Sequence, residues 1–368
     1  MKSNDFQTSF RKKAKASLQN DWKDNFDVFR FGSEKLKKEI PGDLRGFIRK
    51  LKYKYYLPYK IERYIRANNA AFQHAYDLLE DDYSKSIYLE LLIFRLLGHR
   101  HVKLSRNTPE YWKKLTEIEN CIYGDETIDT HFQDWKLRLF DLTKLGYNIR
   151  IFNKPTGILH EFVLQQYRYN QGSTDIVVNA GDIVIDAGGC WGDTALYFAS
   201  KTGSEGKVFT LEFVPNNLSI LRRNISLNPE LKPIIEIIEN PLWSQSGAEI
   251  FFTDRGPGSK IAIENIPEAK ASVNTLSIDD LVSRRSLNCL DFIKMDIEGA
   301  ELPSLKGAVN TIRKFRPGLA ISIYHSMHDF TDIIKWIDDL RLGYKFYVDH
   351  FTIHWEETVL FATAKSQV

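Results

Sequence analysis

The sequence is poor in cysteine. Cys121, Cys190 and Cys289 are the three present, widely spaced and without a C-x-x-C pair. That excludes a disulfide framework, a zinc knuckle and a dithiol redox centre, and the thiols read as free and reduced. Long hydrophobic runs are also missing. The most apolar stretch, Ile87–Gly98, is broken by Glu90 and Arg95 and is too short to cross a bilayer. The first residues are polar and charged, with no apolar core before a small-residue cleavage site, so the expected location is cytoplasmic. A P-loop is absent: Gly203 and Gly206 are three apart, and Lys207 is followed by Val208. There is no G-x-S-x-G and no H-E-x-x-H, which sets aside a serine hydrolase elbow and a zinc protease helix.

What is present suits a globular protein of about two or three domains: 368 residues, 43% hydrophobic and 27% charged. The net charge of +2 conceals an asymmetry. Residues 1–106 hold 23 Lys+Arg against 13 Asp+Glu, so the remainder carries −8. Within the basic part, Lys50–Lys60 interleaves lysine with Tyr53, Tyr55, Tyr56 and Tyr59. Such a segment suits an anionic partner such as glycan, phosphate, a membrane surface or nucleic acid. Equally, it suits an ordinary solvated helical surface facing an acidic body.

The chain divides by texture into a helical region at 1–130, a strand-rich connector at 131–180 and an α/β region at 181–368. Ala71, Ala75, Leu78 and Leu79 recur at helical spacing, and Ser84 is the expected N-cap of a second helix that stops at Gly98. Strands are expected at Lys136–Asp141, Tyr147–Phe152 and Gly157–Val163. From Gly181, apolar strands (Ile183–Asp186, Val208–Glu212, Ile234–Ile238, Phe292–Asp296, Leu319–Tyr324) alternate with helices, which predicts a mainly parallel sheet. The helices fall near Thr194–Lys201, Asn217–Leu227, Glu301–Phe315 and Asp329–Leu340. Lys345–Asp349 and Thr358–Ala362 close the chain as an antiparallel pair.

Two stretches carry chemistry. In the first, the strand Ile183–Asp186 ends in an acid, turns through Gly188, Gly189 and Gly192, and enters a helix at Thr194. Glycines permit close backbone approach to a ligand, and a new helix offers unpaired N–H groups. A dinucleotide fingerprint ending at Gly192 would need glycine where Ala187 stands. The acid ahead of the glycines suits a cationic group such as an amine or sulfonium. Glu212, closing the next strand, is placed to grip ribose hydroxyls. In the second stretch, Phe292–Asp296 delivers Asp296 and Glu298 to the carboxyl end of the sheet, where ligands bind in open α/β folds. Glu301 reads as favourable charge at a helix start. His325, at the end of the following strand, is a candidate general base.

These residues resemble the FkbM-type methyltransferases. The likeness runs from about Gly146 to Ala364, through Gly181–Gly188 with Gly192-Asp193-Thr194, then Phe292–Glu301 with Leu305-Lys306-Gly307-Ala308, and the closing Glu357–Ala362. The resemblance implies a class I methyltransferase fold: Rossmann-like, seven-stranded and mostly parallel, with an antiparallel closing strand, here preceded by a helical N-terminal domain. It implies S-adenosylmethionine as cofactor and O-methylation of a sugar, glycan or secondary-metabolite hydroxyl. By the same likeness Asp186, Gly188, Gly192 and Thr194 lie at the methionine end of the cofactor, Glu212 at its ribose and Asn240 at its adenine. Asp296, Glu298 and His325 are then the catalytic candidates, with Asp296 and Glu298 also candidates for a divalent metal. The helical region then holds the acceptor or serves assembly, pairing as a homodimer. Two rival readings remain: RNA methylation through the basic arm, and an assembly protein that binds S-adenosylmethionine without turnover.

Overall fold

The structure is a computed structural model describing residues 6–23, 25–27, 30, 55–132, 134–252, 256, 259, 261–262 and 271–364. Residues 50–54 of the tyrosine-rich segment lie outside the described residues. In chain order, β1 (Ile122–Asp129), β2 (Lys136–Asp141) and β3 (Arg150–Asn153) form a three-stranded antiparallel sheet. The strands β4 (Tyr169–Gln171) and β5 (Thr174–Ile176) make a hairpin. Then follow β6 (Ile183–Ala187), β7 (Lys207–Leu211), β8 (Ile235–Ile238), β9 (Glu249–Phe252), β10 (Ile261–Ala262), β11 (Ala271–Asn274), β12 (Phe292–Met295), β13 (Gly318–Ser322), β14 (Lys345–His350) and β15 (Thr358–Thr363).

Seven of these form the central sheet, in the order β14-β15-β13-β12-β6-β7-β8. Only β15 runs against its neighbours. The five parallel strands are apolar almost throughout because helices cover both faces. Strand order reverses between β6 and β12, and the crevice at such a switch point receives ligands. The strands β9, β10 and β11 form a small antiparallel sheet outside this frame, inserted between β8 and β12.

The helices follow the sequence closely, with instructive departures. Pro215 starts Pro215–Ser226 at a position whose N–H needs no partner. The expected helix Glu301–Phe315 is two, Glu301–Lys306 and Val309–Phe315. The break is held by Asp279, whose carboxylate accepts the Asn310 and Thr311 N–H groups that open the second helix. Gly157–Val163 is no strand. Pro155 instead nucleates the short helix Pro155–Ile158, which continues as a π turn over Leu159–Val163.

The N-terminal helices Leu57–Leu78 and Asp82–Leu97 make a hairpin, and Gly98 ends the second with φ +82°. Its N-cap is Asp81, which accepts the Ser84 N–H at 2.7 Å. Ser84, the expected cap, is buried and accepts the Val348 N–H from β14 at 3.0 Å instead. Both residue types cap helices well, so only the neighbouring sheet distinguishes them.

This hairpin shares one apolar core with the sheet. Tyr88 and Leu92 of the hairpin, with Phe6 and Phe10 of the helix Phe6–Ser17 beside it, belong to the same cluster as Ile321, Phe330 and Phe346. Tyr88 Oη donates to the Phe330 carbonyl at 2.9 Å. Leu79, just past its helix, bridges Phe346 of β14, and the Glu80 N–H donates to the Phe346 carbonyl at 3.0 Å. Among the described residues no helix is long and apolar enough to cross a membrane.

Candidate functional site

The turn after β6 begins the site. Gly188 has φ +86°, and a Cβ there would lie 1.9 Å from the Asp296 carbonyl oxygen. Only glycine lets the β6 and β12 turns approach so closely. Gly192, also at φ +86°, occupies the N-cap of the helix Asp193–Thr202. Two non-glycine residues at the same edge take positive φ, Cys190 at +42° and Glu298 at +56°. Backbone held this way clusters at ligand sites, where surrounding structure over-determines it.

Two cavities open at this edge and share Gly188, Cys190, Asp296 and Glu298. The smaller, about 80 Å³, is lined by Glu212 and Asn240 among the apolar Leu211, Phe213, Val214, Pro241, Leu242 and Ile297. Glu212 Oε1 accepts the Phe213 and Val214 N–H groups and Oε2 accepts from Asn217, which fixes its carboxylate at the end of β7. Burial raises its pKa against these bonds. Asn240 Nδ2 donates to the Asn274 carbonyl.

The larger cavity, about 200 Å³, is polar. Carboxyl groups of Asp27, Glu161, Asp193, Asp296, Glu298, Glu356 and Glu357 line it, with Arg30, Lys154, Lys294, Trp135, Trp191, Tyr167 and Tyr324. Arg30 pairs with Glu356 at 2.5 Å. Lys154 Nζ lies 3.3 Å from the centre of the Trp135 ring, and burial with the nearby Arg30 charge lowers its pKa to about 7. The Trp191 Nε1 donor and the Glu161 Oε2 acceptor are both buried without hydrogen-bond partners among the described residues.

The sequence candidates fall into three groups. Gly188, Glu212, Asn240, Asp296 and Glu298 come together around the smaller cavity, while Thr194 lines the larger one. Asp186 lines neither. Its carboxylate is buried, accepts the Thr194 and Thr210 hydroxyls, and pairs with Lys294 Nζ at 3.0 Å. The negative charge it was expected to offer a cationic ligand group is therefore matched inside the chain by Lys294. Gly192 acts through its backbone and also lines neither cavity.

His325 lies among carboxylates. Its Nδ1 lies 3.2 Å from Glu301, and its Nε2 lies 3.4 Å from Asp296 and 3.7 Å from Glu298. Burial alone would lower its pKa, yet Glu301, Asp296 and Glu298 raise it to about 10. The three carboxylates thus favour the protonated form of His325, whereas a general base needs the neutral ring. Glu301 is correspondingly more than helix-end charge: it accepts the Ile297 N–H at 2.8 Å and backs the imidazolium. Glu298, chiefly through burial and against the pull of His325, rises to about 7. Asp296 receives the Tyr324 hydroxyl at 3.0 Å and that of Tyr167 at 3.3 Å.

Lys294 escaped the sequence reading, although a lysine inside the apolar run Phe292–Met295 was the available signal. Its ammonium donates to the carbonyls of Ala187 at 3.1 Å and Gly188 at 2.7 Å, tying β12 to the glycine turn. For a divalent cation, Asp296, Glu301 and His325 offer ligand atoms within 4.8 Å of one another, a different set from Asp296 with Glu298. A cation there would have to replace the proton of His325.

The seven-stranded order and the reversed β15 define the class I methyltransferase fold. Residues 175–346 match a family model described as a methyltransferase FkbM domain. A solved FkbM methyltransferase from Methylobacillus flagellatus KT aligns at 19% identity and TM-score 0.51, covering 83% of this chain and 62% of that one. This chain thus spans less than two thirds of that relative. Aeropyrum pernix fibrillarin, solved with S-adenosyl-L-methionine, aligns at 12% identity and TM-score 0.34 over 66% of this chain and 100% of its own. An O-methyltransferase from Bacillus cereus, solved with SAH, aligns at 13% and 0.33 over 70% and 92%. No curated protein matches the sequence.

Proposed function

We propose that this methyltransferase uses S-adenosylmethionine to methylate a hydroxyl, on a sugar, a glycan or a small polyhydroxylated metabolite. One observation carries the reading: two cavities of opposite character meet at Gly188, Cys190, Asp296 and Glu298. The smaller has what an adenosine requires, apolar walls for a base and a fixed strand-end carboxylate for ribose hydroxyls. The larger has carboxyl acceptors and indole and ammonium donors, a set suited to hydroxyl groups. Two reactants held across one shared wall gain most of their rate advantage from proximity and orientation.

The excess of carboxyl groups in the larger cavity speaks against a polyanionic acceptor such as RNA. Buried polar atoms without partners at Trp191 and Glu161 speak against a purely structural role, since a ligand would satisfy them. The test is ligand-dependent stability. S-adenosylmethionine should raise the melting temperature while NAD does not. Glu212→Ala should weaken S-adenosylmethionine binding by about 1–3 kcal/mol, read by calorimetry. Stabilisation by NAD alone would overturn the reading.

A further inference from the structure

We infer that Glu161 is the proton-accepting group of the larger cavity, a carboxyl that ionises when a cationic methyl donor fills the smaller one. The inference rests on the reading above that S-adenosylmethionine is the donor. Glu161 lies in the π turn Leu159–Val163, a single-turn form that recurs at functional sites. It is 6% exposed, lines the larger cavity, and its Oε2 meets no hydrogen-bond donor among the described residues.

The charges that act on Glu161 come from several elements. Asp193 at the start of its helix, Asp186 on β6 and Glu357 before β15 all disfavour a second negative charge. Burial is the largest influence, and with these neighbours it lifts the Glu161 pKa well above the carboxylate range. Lys294 alone among them favours ionisation, and its ammonium is committed to Asp186 and to the Ala187 and Gly188 carbonyls. His160, beside it in the turn, is kept neutral by burial, and the phenols of Tyr167 and Tyr197 nearby are held protonated by burial.

S-adenosylmethionine supplies an electrophilic methyl group on a positively charged sulfur. The acceptor oxygen forms the new C–O bond, the C–S bond breaks with its electron pair kept by sulfur, and the hydroxyl proton passes to the Glu161 carboxylate. Asp296, by contrast, already receives two phenolic hydroxyls, whereas the Glu161 Oε2 receives none among the described residues. A positive charge arriving at one edge of the larger cavity lowers the proton affinity of the carboxyls that line it, Glu161 among them. Donor binding would thus create the base, and binding of the uncharged thioether product would not.

Calorimetry of the intact chain near neutral pH, in buffers of different ionisation enthalpy, tests this with S-adenosylmethionine and S-adenosylhomocysteine as probes. The sulfonium ligand should release close to one proton more per site than the thioether. Glu161→Gln should bind both ligands and lose that difference. Infrared difference spectra of the unaltered protein should show a protonated carboxyl disappearing with the sulfonium ligand only, a readout that stands even if the variant misfolds. Equal proton release for the two ligands overturns the inference. So does a difference that survives in Glu161→Gln, which would transfer the role to Glu298 or Glu357. Failure of both ligands to bind the unaltered protein overturns the donor reading itself.

Discussion

Lys294 and Asp186 face each other across β12 and β6, their charged atoms 3.0 Å apart and their side chains 1% and 0% exposed. Such a pair is costly to form from water, and costlier to break on one side. Burial opposes the ammonium, but Asp186 and Asp296 overcome it and hold its pKa above the usual lysine value. Lys294→Met should therefore lower stability by about 3–5 kcal/mol, and the double variant with Asp186→Asn should recover part of that. Urea unfolding decides. A double variant as unstable as the sum of its parts would mean that the two residues do not act together.

Gly188→Ala tests the close approach of the two turns. Positive φ alone costs a non-glycine residue about 1–3 kcal/mol. The added methyl would also press on the Asp296 carbonyl oxygen, which is backbone and cannot swing aside. We expect a lower melting temperature and loss of detectable S-adenosylmethionine binding. Unchanged binding would separate the glycine turn from the ligand.

His325 gives stability a defined pH dependence. Its folded pKa of about 10 lies above the ordinary value of 6.5, so the folded state holds the proton more tightly. Its contribution is complete below pH 6.5 and is lost as pH rises through about 10. The melting-temperature difference between the unaltered protein and His325→Gln should accordingly shrink over that interval. A difference that grows with pH would refute the imidazolium.

His350 works in the opposite direction. Burial first, then Arg106, lowers its pKa to about 3, so between there and 6.5 only the unfolded chain takes the proton. Acidification through this range should destabilise the protein, and His350→Gln should move the acid-unfolding midpoint to lower pH. An unmoved midpoint would assign acid sensitivity to other groups.

A fragment starting at Tyr147 lacks the N-terminal helices, whose apolar residues share a core with Ile321, Phe330 and Phe346. Such a fragment would present that face to water, and we expect aggregation in light scattering. A monodisperse fragment that still binds S-adenosylmethionine would show that residues 1–130 are separable.

The parts of this molecule legible in its sequence were those set by local pattern. The apolar run Ile183–Ala187 followed by glycines could hardly be anything but strand, turn and helix. Phe292–Glu301 was similarly explicit. What stayed hidden depended on partners far along the chain. Lys294 meets Asp186 only through the parallel register of β12 on β6. His325 looked like a titratable base because nothing local says that Glu301, Asp296 and Glu298 surround it. Glu161 went unnoticed because Gly157–Val163 has strand-like composition, and the proline two residues earlier decided otherwise.

The contact of Leu79 and Glu80 with Phe346 bears on assembly as well as packing. β14 is an outermost strand of the seven, and an outermost strand offers its unpaired backbone groups to any passing chain. The helix end lies across part of that row and takes up the Phe346 carbonyl. The N-terminal hairpin is thereby a guard on the rim of the sheet, and opening it would license strand-to-strand polymerisation between copies.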